Sequence, residues 1–408
     1  MAKVVLAYSG GLDTSVIVHW LTHQKDMEVI TFCADLGEGP DMKTINTRAK
    51  GSGAVKTYSA DLRKVFLEEY CWPALKADAI YEGRYVLATA LGRPLIAAEL
   101  VKIAKKEKAE YIAHGCTGKG NDQVRIETTA AALAPELKMV APLRTWDMKS
   151  REDEIDYAVA NKIPIDIKKK NPFSIDANLW GRAIECGAIE DPWAEAPEAA
   201  WSMTTDPAKA PAKPEYVEIG FKEGVPTSVN GKATGAVKLI ETLNELGGKH
   251  GVGRYDCLEN RLVGIKSREI YEAPGAAILF EAHKGLCELV LSKDLAHFSR
   301  GPSQKMAELI YNGLWFSELR LALSQYFDFA NRFVTGKVRV KLYRGHCMTV
   351  GRYSDASQYN MELATYTEED IFKHTSAEGF IDIWSLPLRV QSQQREVASP
   401  AKVRRGKK

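Results

Sequence analysis

Two stretches of the 408-residue chain concentrate groups that can do chemistry, and both are loops. Residues 9–15 read Ser9-Gly10-Gly11-Leu12-Asp13-Thr14-Ser15, and residues 114–127 read HGCTGKGNDQVRIE. In the first, adjacent glycines let a ligand approach the backbone, and three side-chain oxygens stand where a helix should start. Free N–H groups and a helix N-terminus together make an anion site, so a phosphate chain is the expected occupant. An ordinary strand-to-helix turn is the alternative, but it does not call for this run of small residues and oxygens. The second loop sets Gly115, Gly118 and Gly120 among Thr117, Lys119, Asn121, Asp122 and Arg125. An acid beside an amide suits an ammonium group, whereas Lys119 and Arg125 suit a carboxylate or phosphate. A substrate bearing both an amine and carboxylates fits that mixture.

The elements that position these loops follow from apolar patterning. Residues 3–8 form a short buried strand, and residues 15–24 an amphipathic helix carrying Val16, Ile17, Trp20 and Leu21. Further strands are expected at 28–33, 54–58, 110–114 and 138–141, with helices at 41–50, 61–70 and 85–107. Strands alternating with helices up to about residue 165 predict an α/β fold with a parallel sheet covered on both faces. In such sheets ligands bind at the carboxyl ends of the strands. The 9–15 loop, the loop from Ala34 and the loop after His114 are therefore expected on one rim. Asp35 and Glu38 stand there either as ribose partners or as plain loop charges.

Beyond Pro164 and Pro172 the pattern changes. Residues 206–214 (DPAKAPAKP) read as a stiff connector. A strand at 216–221, a hairpin turn at Asn230-Gly231, a helix at 237–246 stopped by Gly247-Gly248, helices at 276–290 and 304–329, and paired strands at 337–343 and 347–353 predict an α+β second domain. In the 304–329 helix, Trp315, Phe316, Tyr326, Phe327 and Phe329 read as core or subunit interface. Residues 391–408 are polar and basic and read as a solvated tail without the aromatics of a nucleic-acid binder.

Composition narrows the class. Apolar residues are 45%, charged residues 26% and the formal net charge is +2, an ordinary globular balance that gives no electrostatic argument for nucleic acid or membrane. Seven cysteines without a C-x-x-C argue against a disulfide framework or zinc site and fit a reducing cytosol. No signal segment or membrane-length apolar run is present. His19 and His23 have metal-ligand spacing but no accompanying acidic motif, so a solvated helix face is expected there.

The first loop is neither a Walker A nor a dinucleotide fingerprint. S-G-G-x-D-[ST]-S resembles the pyrophosphate loop of the ATP pyrophosphatases, which split ATP between the α and β phosphates. Residues 7–15 taken with 114–125 resemble the argininosuccinate synthase family. So do Arg84-Tyr85, Arg93-Pro94, NPFSIDANLWGR at 171–182, GKHGVGR at 248–254, Glu259-Asn260-Arg261, Lys266-Ser267-Arg268 and Tyr271-Glu272. The likeness runs from about residue 3 to about residue 388.

That resemblance implies a Rossmann-like ATP pyrophosphatase domain at 1–168, a synthetase domain at 169–385 and a basic tail at 386–408. It implies a cytoplasmic, homotetrameric ligase that joins citrulline to aspartate with ATP and Mg²⁺, through a citrulline-adenylate, in arginine biosynthesis. Ala7, Tyr8, Ser9, Gly10, Gly11, Leu12, Asp13, Thr14, Ser15, Ala34 and Gly115 are the implied ATP positions, with Asp13 a candidate Mg²⁺ or phosphate partner. Tyr85, Asn121, Arg125, Ser174, Glu259 and Tyr271 match citrulline positions, and Thr117, Asn121 and Asp122 match aspartate positions. No general base is assigned. Ala90 and Ala183 depart from the family, which often has serine there in reach of citrulline. A tRNA-thiolating or amidating ATP pyrophosphatase would be expected to show paired catalytic cysteines, an RNA-binding domain or a glutaminase domain. A non-catalytic nucleotide-binding module would need neither the second loop nor the 248–272 block.

Overall fold

The computed structural model describes residues 1–39, 41–165 and 173–395. It falls into two compact units, Met1–Ser357 and Gln358–Lys408. In the first, β1 (Ala2–Ala7) leaves Val4, Val5 and Leu6 with no solvent exposure. A strand apolar on both faces belongs in the middle of a covered parallel sheet. It lies there, in the order β3-β2-β1-β4-β5, with β2 (Met27–Asp35), β3 (Lys56–Asp61), β4 (Tyr111–Ala113) and β5 (Lys138–Val140) all parallel. The chain moves outward from β1 to β3 and then returns to place β4 on the other side of β1. The crevice of this sheet therefore opens between the loops that follow β1 and β4, the two stretches singled out above.

Local chemistry fixes the helices around that crevice. Helix α1 (Leu12–Gln24) starts three residues earlier than expected, with Gly11 as its N-cap and no capping side chain. Helix α2 (Met42–Gly51) is capped by Asp41, whose carboxylate accepts the Lys43 and Thr44 N–H groups at 3.1 and 3.3 Å. The expected 61–70 helix runs as Arg63–Val65, a wide π turn over Phe66–Cys71, then Trp72–Lys76. The long helix begins at Ala88, not at 85, because Leu87 takes a left-handed φ of 66° and Tyr81 bridges to Tyr85 ahead of it.

Two antiparallel sheets follow. One has four strands in the order β11-β12-β7-β6, from β6 (Ser174–Asn178), β7 (Gly181–Glu185), β11 (Arg254–Asn260) and β12 (Lys266–Glu272). The other has five in the order β10-β9-β8-β13-β14, from β8 (Glu215–Lys222), β9 (Val225–Val229), β10 (Lys232–Ala233), β13 (Gly336–Tyr343) and β14 (His346–Tyr353). The four-stranded sheet is pinned to the parallel-sheet region by the turn between β6 and β7. Fully buried Trp180 donates its indole N–H to the Val86 carbonyl at 3.0 Å, Asn178 donates to the Ala88 carbonyl at 2.9 Å, and the Leu179 N–H reaches the Leu36 carbonyl at 2.9 Å.

Three expectations need correction. The 304–329 helix is two helices, Lys293–Tyr311 and Glu318–Ala330. Gly313 breaks it at φ 74°, where an added Cβ would lie 2.8 Å from the Arg125 Cα. The Gly247-Gly248 pair does not end its helix, which spans Ala236–Lys249. Instead the pair admits close neighbours, since a Cβ on Gly248 would meet the Met203 carbonyl oxygen at 2.2 Å. The 391–408 tail is helical at its start, within Ser376–Gln394, while residues 396–408 lie outside the described residues, as do 171–172 of the 171–182 stretch.

Candidate active site

Backbone makes most of the first subsite. Gly10 has φ 79°, and a Cβ there would come within 3.0 Å of Ile45, so the turn out of β1 is closed to larger residues without strain. The three oxygens expected to cap α1 do other work. Ser15 donates to the Gly11 carbonyl at 2.8 Å and contacts the Tyr8 hydroxyl at 2.9 Å, and Thr14 meets Ser9 at 3.2 Å. Ser15 and Thr14 brace the loop, and with no side-chain cap on α1 the first-turn N–H groups are left for an anion. Ala7, Tyr8, Ser9, Thr14, Ala34 and Gly115 line one cavity of about 250 Å³ with Phe32, Glu38, Arg93, His114, Cys116 and Asp176. The rim is the one expected. Gly10, Gly11, Leu12, Asp13 and Ser15 belong to the loop but not to the cavity lining. Leu12 packs into a small apolar cluster on Val16, Ala158 and Ile163.

Asp13 stands at the first turn of α1 and faces the helix Arg151–Ala160, 3.8 Å from Arg151. There Glu154, held by burial and then by the Asp13 charge, has its carboxyl pushed up to about 8. Of the two loop acids, Asp35 is committed locally, accepting the Gly37 N–H at 2.8 Å. Glu38 enters the cavity wall and accepts the Ala177 N–H at 3.3 Å. His19 and His23 stack at 3.9 Å, and His19 also bonds Tyr157.

Side chains from distant segments make the second subsite. Asp122 starts the helix Asp122–Leu133 and meets two guanidiniums, Arg93 at 2.8 Å and Arg125 at 3.0 Å. Burial opposes its charge, but the two arginines together hold its carboxyl below the usual carboxylate range. Arg93 also pairs with Asp176 on β6, so one guanidinium ties the long helix beside the parallel sheet to the four-stranded sheet. Arg125 is buried, donates to the Tyr311 carbonyl at 3.0 Å and lies over the Tyr311 ring. Both ends of the Asn121 amide are engaged, donating to the Tyr311 hydroxyl at 2.8 Å and accepting the Leu262 N–H at 2.9 Å. Tyr85 stacks on Tyr271 at 4.2 Å, and the Tyr271 hydroxyl bonds Glu259 and, at 2.7 Å, Glu269. Burial and then the Glu269 charge push the Glu259 carboxyl up to about 7. Glu259 and Tyr85 line a cavity of about 390 Å³ with Tyr81, Arg84, Asp256 and Arg268.

Five of the six residues matched to citrulline, Tyr85, Asn121, Arg125, Glu259 and Tyr271, thus fall in one connected cluster. Ser174 stands apart as an exposed residue on β6, in register with Glu185. Asn121 and Asp122 sit together, whereas Thr117 is at the exposed tip of its loop. Ala183 is in register with both Tyr271 and Asp176, and the Ala90 N–H donates to the Tyr85 hydroxyl at 3.4 Å.

Sequence reasoning missed the connectors. Asp176, Tyr311 and Glu269 were given no role, and Arg93 was noted only as part of a motif. The Asn312-Gly313 pair was the available signal that the helix stops and turns Tyr311 toward the site.

The arginosuccinate synthase N-terminal HUP domain family matches residues 3–164, and the arginosuccinate synthase C-terminal domain family matches residues 173–391. Similar proteins include the argininosuccinate synthases of Bacillus mycoides (strain KBAB4) and Bacillus thuringiensis (strain Al Hakam). Each is 54% identical over 391 residues, which is 96% of this chain and 97% of the relative. A solved 4-thiouridine synthetase–RNA complex with bound ATP is 16% identical over 39% of this chain and 40% of its own, at a TM-score of 0.29, too low to build on.

Proposed function

The chain belongs to the argininosuccinate synthase family, and from that premise we propose that it joins L-citrulline to L-aspartate, converting ATP to AMP and diphosphate through a citrulline-adenylate. Residues 1–168 hold the nucleotide and, together with 169–385, present the amino acids, with 386–408 as a tail. A ureido carbon is a poor electrophile, and AMP on its oxygen supplies a leaving group. The 9–15 loop receives the departing pyrophosphate on backbone N–H groups and the start of α1. Ala34 and Gly115 bound the nucleotide. Tyr85, Asn121, Arg125, Ser174, Glu259 and Tyr271 hold citrulline, and Thr117, Asn121 and Asp122 hold aspartate, so positioning carries much of the rate.

The observation that carries this reading is the Arg93 bridge. Through it, a phosphate-type cavity on the parallel sheet meets a carboxylate-and-amide cluster suited to amino acids. Mg²⁺ fits the same loop. It binds through substrate phosphates and one or two carboxylates, and Asp13 is the half-exposed carboxylate at the first turn of α1. When bound, the ion neutralises charge on the leaving pyrophosphate. No cluster of three or more His, Cys, Asp or Glu fit to hold a metal occurs among the described residues.

We also propose a cytoplasmic homotetramer. All seven cysteines are free, as a reducing compartment requires. In the 358–395 segment, Tyr366, Phe380, Ile383, Trp384 and Leu388 are exposed, an apolar surface suited to another copy. No helix among the described residues is long and apolar enough to cross a membrane. Light scattering at micromolar protein should give four chain masses, and a monomer would contradict this assembly. The activity is tested by incubating the protein with ATP, Mg²⁺, citrulline and aspartate and analysing by mass spectrometry. Argininosuccinate and AMP in equal amounts are expected. ADP, or AMP without the coupled product, would refute the reading.

A further inference from the structure

The α-ammonium of the incoming amino acid must lose a proton before its nitrogen can attack, and the family likeness names no group that takes it. We propose that Asp176 is that proton acceptor, an inference that rests on the ligase reading above. Its position argues for it. Among the described residues lining the nucleotide cavity, the carboxylates are Glu38 and Asp176. Glu38 is bonded to the Ala177 N–H and forms no ion pair with Arg93 among the described residues. Asp176 shares the Arg93 guanidinium with Asp122, so it is the carboxylate that belongs both to the nucleotide cavity and to the cluster assigned to aspartate.

The histidine in the cavity wall is already engaged. His114 Nδ1 accepts the Cys116 N–H at 3.2 Å, and its Nε2 faces Glu127 at 2.9 Å. The Cys116 thiol is pushed up to about 12 by burial and then by Asp122, so it stays protonated near neutral pH.

The fold holds Asp176 in place. Two residues further along β6, Asn178 and then Trp180 are bonded to the carbonyls of Ala88 and Val86, at the start of the helix that carries Arg93. The groups facing Asp176 are Arg93 and the Thr89 hydroxyl from that helix, Asp122 from the helix it begins, Glu38 from the loop after β2 and Cys116 from the loop after β4. Burial, only partly opposed by Arg93, raises the Asp176 carboxyl above its ordinary range, and the Asp122 charge adds to the rise. That moves it toward the proton affinity an effective base needs.

The step balances. One proton passes from the α-ammonium to an Asp176 Oδ atom. The freed electron pair forms the C–N bond to the ureido carbon, and the C–O bond to AMP breaks with its pair leaving on the AMP oxygen. One remaining nitrogen proton moves to the imino nitrogen, which leaves the product as a guanidinium.

Single-turnover acid quench with labelled ATP separates adenylate formation from its consumption by aspartate. Asp176→Asn should slow consumption of the adenylate by aspartate about a hundredfold more than it slows adenylate formation. It should also lose the rise in consumption rate with pH that marks the acid limb of the wild type. Hydroxylamine, already neutral at assay pH, should consume the adenylate equally fast in both proteins, a split that a merely structural role does not produce. Asp176→Glu keeps a carboxylate, and should recover at least tenfold over the asparagine variant with a displaced acid limb. If Asp176→Asn does not fold, the displaced limb of Asp176→Glu decides. Equal losses in formation and consumption, consumption at the wild-type rate, or an unmoved acid limb in Asp176→Glu would each overturn the proposal. A wild type that makes no adenylate at all would instead bring down the ligase reading beneath it.

Discussion

The two halves of the site are built by opposite means. The phosphate end of the nucleotide side is local: a strand, a glycine turn and a helix start contiguous over residues 2–24 bring Ala7, Tyr8, Ser9 and Thr14 to one cavity, whose other walls come from the loops after β2 and β4, from Arg93 and from β6. The amino-acid side is assembled from far apart. Asp122, Asp176, Glu259, Tyr271 and Tyr311 come from two helices and three strands, and meet through Arg93, Arg125 and Asn121 on one flank and through the Tyr85 ring, set against Tyr271 and Tyr311, on the other. In the proposed function, main-chain groups recognise a phosphate chain that all nucleotides share. On the proposed assignment, side chains desolvated against one another recognise particular amino acids, at the cost of burying charges that must stay paired.

The largest expected effect attacks the assembled half. Arg93→Ala takes from Asp176 its ion-pair partner among the described residues and leaves Asp122 with Arg125 alone, each carboxylate being about a quarter exposed. Losing one partner of a fully buried pair costs about 3–5 kcal/mol and of this partly exposed one less, so thermal unfolding should shift downward and coupling should fall sharply. Nucleotide binding to the 9–15 loop should survive wherever the protein stays folded. A variant of wild-type stability would mean that the two halves are not tied by this guanidinium. Next comes Gly10→Ala, aimed at the local half. The left-handed turn penalises a Cβ by roughly 1–2 kcal/mol, and Ile45 crowds it further. ATP affinity should drop while the environment of Glu259 is untouched. An equal loss of citrulline affinity would erase the distinction between the halves.

A pH effect separates them again. Glu259 has its carboxyl pushed up to about 7 from an ordinary 4.5, by burial and then Glu269. The folded state therefore holds a proton that the unfolded chain has released between those two values. Its contribution to stability is full below pH 4.5 and is lost as pH rises to 7. Glu259→Gln should flatten stability over that window, by about 1–3 kcal/mol, in urea titrations at pH 5 and 8. An unchanged slope would show that Glu259 is not desolvated as its surroundings imply. The smallest expected change is Ala183→Ser. A hydroxyl in register with Tyr271 and Asp176 adds one hydrogen bond worth about 0.5–1.5 kcal/mol, so the citrulline KM should fall several-fold. An unchanged or raised KM would place citrulline elsewhere.

The same contrast explains what the sequence made legible. The 9–15 loop, the parallel strands and the shared rim could be read because each rests on neighbours in sequence: an apolar run, a glycine pair, an alternation of elements. Even there the detail escaped, since Ser15 and Thr14 brace the loop instead of capping α1. The Arg93 bridge could not be read, because its partners lie 29 and 83 residues away and nothing local marks them as neighbours. Glu259 taken alone is an ordinary surface acid. Only the family pattern raised it, and its 2% exposure beneath Tyr271 shows why the position matters. Tyr311 was hidden by reading residues 304–329 as one helix, when Gly313 turns the chain to meet Arg125.

The most direct test of the joined halves follows one oxygen atom. If the two subsites bring the citrulline ureido oxygen onto the α-phosphate, citrulline labelled with ¹⁸O at that position should yield AMP carrying the label in its phosphate, with unlabelled pyrophosphate and argininosuccinate. Label in pyrophosphate, or AMP without label, would contradict the account.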